Sequence, residues 1–133
     1  MNAQELVDER GELWLALAPL WLEHEPGERD YARMIAVIER HDLTLEELEW
    51  IFRLELAPVL GRRQMSMVGE WRRFDEHKLM KQLVAHNLRL KGWRRGSWAL
   101  FSGLTTMMTR HRWNELMARL MMERGESPTS ARE

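Results

Sequence analysis

Glu55 stands three residues after Phe52, four after Ile51 and seven after Leu48. Helical spacing therefore puts its carboxylate on the apolar stripe formed by Leu48, Ile51, Phe52, Leu56 and Val59. A carboxylate in apolar surroundings either finds a partner or shifts its pKa upward and neutralises. The first outcome makes a structural ion pair, with Arg72 or Arg73 as the expected cation. The second makes a catalytic acid. A lone carboxylate with no mate in the sequence favours the ion pair, so Glu55 is read as a structural polar group. His86 falls seven residues after Leu79 and four before Leu90, on an apolar face, and is expected to be hydrogen-bonded and half-buried. A metal would need two or three further ligands at suitable spacing. The five histidines (His24, His41, His77, His86, His111) are scattered without an HExxH or paired pattern. The acidic turn around Glu28 and Asp30 reads as a solvated loop. No metal ligand and no cofactor are assigned.

Nucleophile motifs are missing too. There is no GxSxG, no P-loop and no Rossmann glycine fingerprint. Ser66, Ser97 and Ser102 have no histidine placed beside them by local sequence. The expectation is a protein that is not an enzyme, with a small helical enzyme using Glu55 or Glu70 as the alternative.

The arginines point elsewhere. "GRRQMSMVGEWRRFD" (61–75) holds Arg62, Arg63, Arg72 and Arg73 together with Trp71 and Phe74, and "GWRRGS" (92–97) holds Arg94 and Arg95. Arginine and tryptophan are frequent anchors of protein interfaces, and these six arginines are the expected partner-binding residues. With Arg110 and Arg112, and interleaved with Trp71, Trp93 and Trp113, they could also neutralise phosphates and stack on bases. A pI of about 6.5 and the lack of a recognition module argue against nucleic acid, which stays as the alternative. The charge is unevenly placed. Residues 1–60 carry fourteen acidic and five basic side chains, net −9, and residues 61–133 carry seven and fifteen, net +8. Two halves of one fold attracting each other would explain this, and so would a dipolar surface that steers a charged partner.

The elements that must position these residues read as helices throughout. Asn2 and Glu5 are spaced as a cap with its acidic partner, and Leu6, Leu13, Trp14, Leu17 and Trp21 follow at helical spacing until Pro19 kinks or ends the helix near Ala18. Residues 23–30 form a turn, and Asp30 caps a second helix with Met34, Ile35 and Ile38 inward. Thr44 and Glu47 make a capping box, with Leu43 and Leu48 as the hydrophobic staple. That third helix is expected to end at Pro58 and Gly61. Asp75 caps a fourth, with Phe74 and Leu79 as its staple and Gly92 as its stop. Residues 92–97 read as a basic linker. Ser97 caps a last helical region, one helix or two, packing Leu100, Phe101, Leu104, Met107, Met108, Trp113, Leu116, Met117, Leu120 and Met121. A Met-rich face left exposed there would be a partner or dimer surface. Little valine, isoleucine or threonine is present for strands. The fold class expected is all-α, a single compact bundle of five to six helices over residues 1–124, with 125–133 as a flexible tail.

The 133 residues suffice for one domain with a real core. The absence of cysteine excludes disulfides and thiol catalysis, and favours the cytoplasm. No signal peptide and no membrane span are visible.

Four stretches, "LWLALAPLWLEHE", "YARMIAVI", "LTLEELEWIFRLELAPVL" and "GEWRRFDEHKL", resemble a family of short bacterial helical proteins of unknown function. Its pattern runs from an acidic L-x-L-x-x-x-E segment through S/T-L-E-E-L-E and E-x-x-P-x-L to G-E-W-x-x-F. The likeness covers about residues 12 to 90, and Gly69, Glu70, Trp71 and Phe74 are its most specific part. The resemblance implies a compact helical domain without established chemistry, with Trp71 and Phe74 as core plugs and Glu70 as an internal tether. The family pattern has mostly neutral residues around G-E-W, so the four arginines here depart from it. Small cysteine-free helical proteins of this type are often partner-binders. The expected function is an immunity or antitoxin-type protein that neutralises a cognate toxin by steric occlusion.

Overall fold

The computed structural model describes residues 2–21, 25–66, 76–107 and 109–125, with side chains except at 62–66, 76 and 105. Glu70, Trp71, Arg72, Arg73, Phe74 and Asp75 lie outside the described residues, as do the side chains of Arg62 and Arg63.

Helix α1 runs over residues 3–21 with a changing pitch: α-helical at Ala3–Leu6, π-helical at Val7–Gly11, α-helical at Glu12–Leu17 and 3-10 at Ala18–Trp21. The Asn2 side chain accepts from the Glu5 N–H at 2.9 Å, as the spacing predicts. The final tightening falls at Pro19, which has no N–H to give to a regular turn. Helix α2 spans Glu28–Arg40. Its N-cap is Gly27, where Asp30 was expected. Asp30 sits at the third position, and its carboxylate accepts from the Gly27 N–H at 2.8 Å.

Helix α3 is the central element. It begins with the expected capping box: the Glu47 N–H donates to Thr44 Oγ1 at 3.1 Å and the Thr44 N–H to Glu47 Oε1 at 3.0 Å. The expected stop at Pro58–Gly61 does not occur. Leu45–Trp50 is α-helical, Ile51–Leu56 is π-helical, and Ala57–Ser66 is α-helical again. The widened turn is how the helix passes its proline. The Ala57 N–H bonds back to the Phe52 carbonyl five residues earlier, and Pro58 then has no N–H to offer to the turn before it. Two carbonyls of that turn find side-chain donors on another helix: His86 Nε2 meets the Leu54 carbonyl at 2.8 Å, and Asn87 Nδ2 donates to the Glu55 carbonyl at 3.2 Å.

Those donors belong to α4, Glu76–Leu88. Gly92 does adopt a left-handed φ of 53°, but it heads the next helix instead of capping this one. The stretch read as a basic linker is helical: α5 is Gly92–Leu100, with Ser97 inside it. A short α6, Ser102–Thr105, and α7, Arg110–Glu123, complete the chain. The described residues contain seven helical runs and no strand, and the all-α bundle expected from the sequence is what forms.

Helices α1, α4, α5 and α6 pack on α3, while α2 lies against α1 and α7. The core is built from Leu13, Trp14, Leu17 and Trp21 of α1, Met34 and Ile38 of α2, Leu48, Phe52, Leu56 and Leu60 of α3, Leu79 and Leu83 of α4, and Trp113, Leu116 and Leu120 of α7. At Gly11 a Cβ would stand 3.3 Å from Met80 Cε and from Val7 Cγ1, so α4 packs closely on α1 there. Trp113, Leu116, Met117 and Leu120 pack as the periodicity predicts. Leu100, Phe101, Leu104 and Met107 do not: all four are exposed.

Candidate functional site

Glu55 sits on the π-helical turn of α3 and faces the π-helical turn of α1. Its Oε1 accepts from Arg10 Nε at 3.1 Å and from Trp14 Nε1 at 2.9 Å. A structural ion pair therefore forms, with Arg10 as a cation; Arg72 and Arg73, the cations expected, lie outside the described residues. The side chains of Arg10 and Glu55 are 24% and 18% exposed, so the pair is mostly screened from solvent. Burial raises the Glu55 pKa above its ordinary value, and the charges of Arg10 and Arg95 and the bonds from Trp14 and Arg10 only partly offset this. His86 is hydrogen-bonded and half-buried as expected. Because its partner is a carbonyl, Nε2 carries the proton and donates. The imidazole meets Trp98 edge-on, with centroids 5.5 Å apart.

A second carboxylate one helical segment earlier is held the same way. Glu49 accepts two bonds from Arg110 Nη1 at 2.9 and 3.2 Å, one from Trp113 Nε1 at 2.9 Å, and one from Arg53 Nε. The Arg110 guanidinium also lies 5.0 Å above the Phe52 ring, and Phe52 stacks on Trp113 at 4.4 Å with 6° between planes. Burial pushes the Glu49 pKa up, but the bonds from Arg110, Trp113 and Arg53 win and hold it below its ordinary value.

Each carboxylate accepts from one arginine and one indole of another helix, and Glu49 also from Arg53 of its own, so each ties α3 to a neighbour: Glu55 to α1, Glu49 to α7. Among the described residues neither has a second carboxylate or an imidazole bonded to it. Among the described residues no group of three or more histidines, aspartates and glutamates could hold a metal ion. Sequence reading found Glu55 and missed its partners. The signal was present as an arginine with a tryptophan four residues on (Arg10, Trp14) and another with a tryptophan three residues on (Arg110, Trp113), which is helical spacing for two donors on one face.

The two carboxylates give opposite pH dependences. The folded pKa of Glu49 lies below the ordinary 4.5, so its stabilisation is in place above that value and is lost as pH falls through the lowered one. The folded pKa of Glu55 lies above 4.5, so its contribution is in place below that value and is lost as pH rises through the raised one. Glu49→Gln is expected to flatten the acid limb of the stability curve. Glu55→Gln is expected to remove the decline on the upper side of the carboxylate range. Urea denaturation across that range measures both, and parallel curves for the two variants would refute the assignment.

The unspent chemistry lies on α5 and α6. The ion pairs Glu28–Arg119, Glu39–Arg124 and Glu49–Arg110 join the acidic first half of the chain to the basic second half, so the charge imbalance is partly an internal attraction. Arg94 and Arg95 stand outside these pairs, although the Arg95 charge acts on Glu55. Both are exposed on α5, and among the described residues neither is in an ion pair. Around them stand large apolar side chains in water: Trp93 is 79% exposed and Leu100 78%, with Phe101, Leu104 and Met107 also exposed. Guanidiniums cover two of the indoles, Arg94 at 5.8 Å from the Trp93 ring centroid and Arg53 at 5.6 Å from that of Trp50. Beside this strip a cleft of about 330 Å³ opens between α3 and α5, lined by Trp50, Leu54, Gly92, Arg95, Gly96 and Ala99. Glu55 does not line it. Of the six arginines expected to bind a partner, the structure brings Arg94 and Arg95 to this face. Arg72 and Arg73, and the side chains of Arg62 and Arg63, lie outside the described residues.

No curated protein matches the chain, and no solved structure does. One family model does match, over residues 8–119, a span that includes both tethered carboxylates, their arginine and tryptophan donors, and the α5–α6 face. The chain belongs to the family described as a domain of unknown function, DUF7079.

Proposed function

We propose that the protein is a non-catalytic binding protein of the immunity type, which works in the cytoplasm and covers the active surface of a cognate toxin or effector domain. The observation that carries this reading is the α5–α6 face: five large apolar side chains are exposed between residues 93 and 107, and Arg94 and Arg95 stand among them in no ion pair with the described residues. Contiguous exposed apolar surface rimmed by polar groups marks interaction sites, and arginine and tryptophan are the side chains that most often carry binding energy there. The half-buried carboxylates Glu49 and Glu55 support it by being engaged in tethering helices. No helix among the described residues is long and apolar enough to cross a membrane.

Co-expression with the product of the adjacent reading frame tests the reading. The expected result is a stable complex and protection of cells from that product. Arg94→Glu with Arg95→Glu, and separately Leu100→Asp, should each weaken the complex at least about tenfold while changing stability by no more than about 0.5 kcal/mol, as exposed substitutions usually do. No complex and no protection would overturn it.

A further inference from the structure

The α5–α6 face has a shape and a charge, and together they select an occupant. Trp50 and Leu54, four residues apart on α3, make one wall of the cleft, and Gly92, Arg95, Gly96 and Ala99, at three- and four-residue spacings on α5, make the other. A groove between two helices receives the side-chain ridge of a third. Beyond Ala99 in the chain, Leu100, Leu104 and Met107 are exposed as well. From Gly92 to Leu100 the α5 side of the track is about 12 Å long at helical rise, roughly two turns.

On the α5 side of the cleft the charge has one sign, while the α3 side carries the exposed Glu46 one turn before Trp50. Between Glu76 and Glu115 the chain has no aspartate or glutamate and eight lysines and arginines. Four of these, Arg89, Lys91, Arg94 and Arg95, are exposed beside the cleft-forming helix or on it, and none is in an ion pair among the described residues.

We infer that the occupant is an amphipathic helix of the partner with an acidic polar face. Its apolar ridge lies in the Trp50–Ala99 cleft and along Leu100, Leu104 and Met107, and its carboxylates meet Arg94 and Arg95. The inference rests on the proposed partner-binding function and specifies the chemistry of that partner. A lipid surface matches the charge but brings no ridge to fill a concave cleft. A second copy of the chain, docked through the same face about a two-fold axis, would set these cations against each other.

The probe is a synthetic peptide of about 15 residues, long enough to form a helix, with leucines at helical spacing and glutamates elsewhere, compared with a twin carrying lysine for every glutamate. Calorimetry on the full chain at low ionic strength should show the glutamate peptide binding at least about tenfold tighter than its twin. Arg94→Glu with Arg95→Glu should reverse the order, and Leu100→Asp with Leu104→Asp should weaken both peptides. Equal affinity for the twins, or no binding of the glutamate peptide, overturns the inference. So does uptake of the chain by phosphatidylglycerol vesicles without peptide binding, which would assign the face to lipid. If the peptide fails while the adjacent-frame product still forms a complex, the acidic-helix inference falls and the partner-binding reading stands. If neither binds, both fall.

Discussion

Phe52→Ala should cost about 4 kcal/mol of folding free energy, within the range typical of deleting a buried aromatic ring. Phe52 is fully buried. It stacks on Trp113 at 4.4 Å and meets Trp21 at 5.6 Å, and Arg110 lies over its face. Two aromatic pairs and a cation–π contact are lost together with the ring's volume, and three large neighbours from α1 and α7 cannot all close on one cavity. Domains of this size have about 5–15 kcal/mol in total, so the variant should unfold at a markedly lower urea concentration. Phe52→Leu keeps most of the volume and should cost less than about 2 kcal/mol. Equal midpoints for Phe52→Ala and the parent would show that the three-ring stack does not organise the core.

Glu55→Ala should cost about 3 kcal/mol, because it strands a half-buried guanidinium and a buried indole N–H at once. The substitution series separates the contributions. Glu55→Gln should cost less, since its amide oxygen can still accept from Trp14 Nε1. The double variant Arg10→Met with Glu55→Leu should recover most of the loss, because an apolar pair of similar size leaves no uncompensated charge. A double-mutant cycle with Arg10→Met gives the coupling directly. Additive losses would mean that the 3.1 Å contact contributes nothing as a pair.

Most of the helices, their order and most of the core were legible because they rest on periodicity and capping, which are local. Thr44 and Glu47 were readable three residues apart, and so was the stripe from Leu48 to Val59. What was not legible is non-local or depends on exposure. Pro58 reads as a stop from its own sequence. It is carried through because the helix widens ahead of it and because His86 and Asn87, about thirty residues away in sequence, reach the carbonyls of the preceding turn. The exposed strip was misread for a related reason. Leu100, Leu104 and Met107 have the spacing of core residues, and spacing alone does not say whether a helix face has a neighbour. The two arginines of the candidate site described by the structure, Arg94 and Arg95, were found by residue type. The cleft beside them needed α5 to be a helix where a linker was expected.

The second tether also sets an order of events during synthesis. Glu49 and Phe52 leave the ribosome about 60 residues before Arg110 and Trp113, roughly 3 to 12 s at about 5–20 residues per second. The Arg10–Glu55 contact can close as soon as α3 has emerged. Through the remaining interval the nascent chain presents a carboxylate with only Arg53 to answer it and an aromatic ring without its stacking partner. A chain released short of α7 would keep that surface permanently, and so would be marked to chaperones and proteases as unfinished.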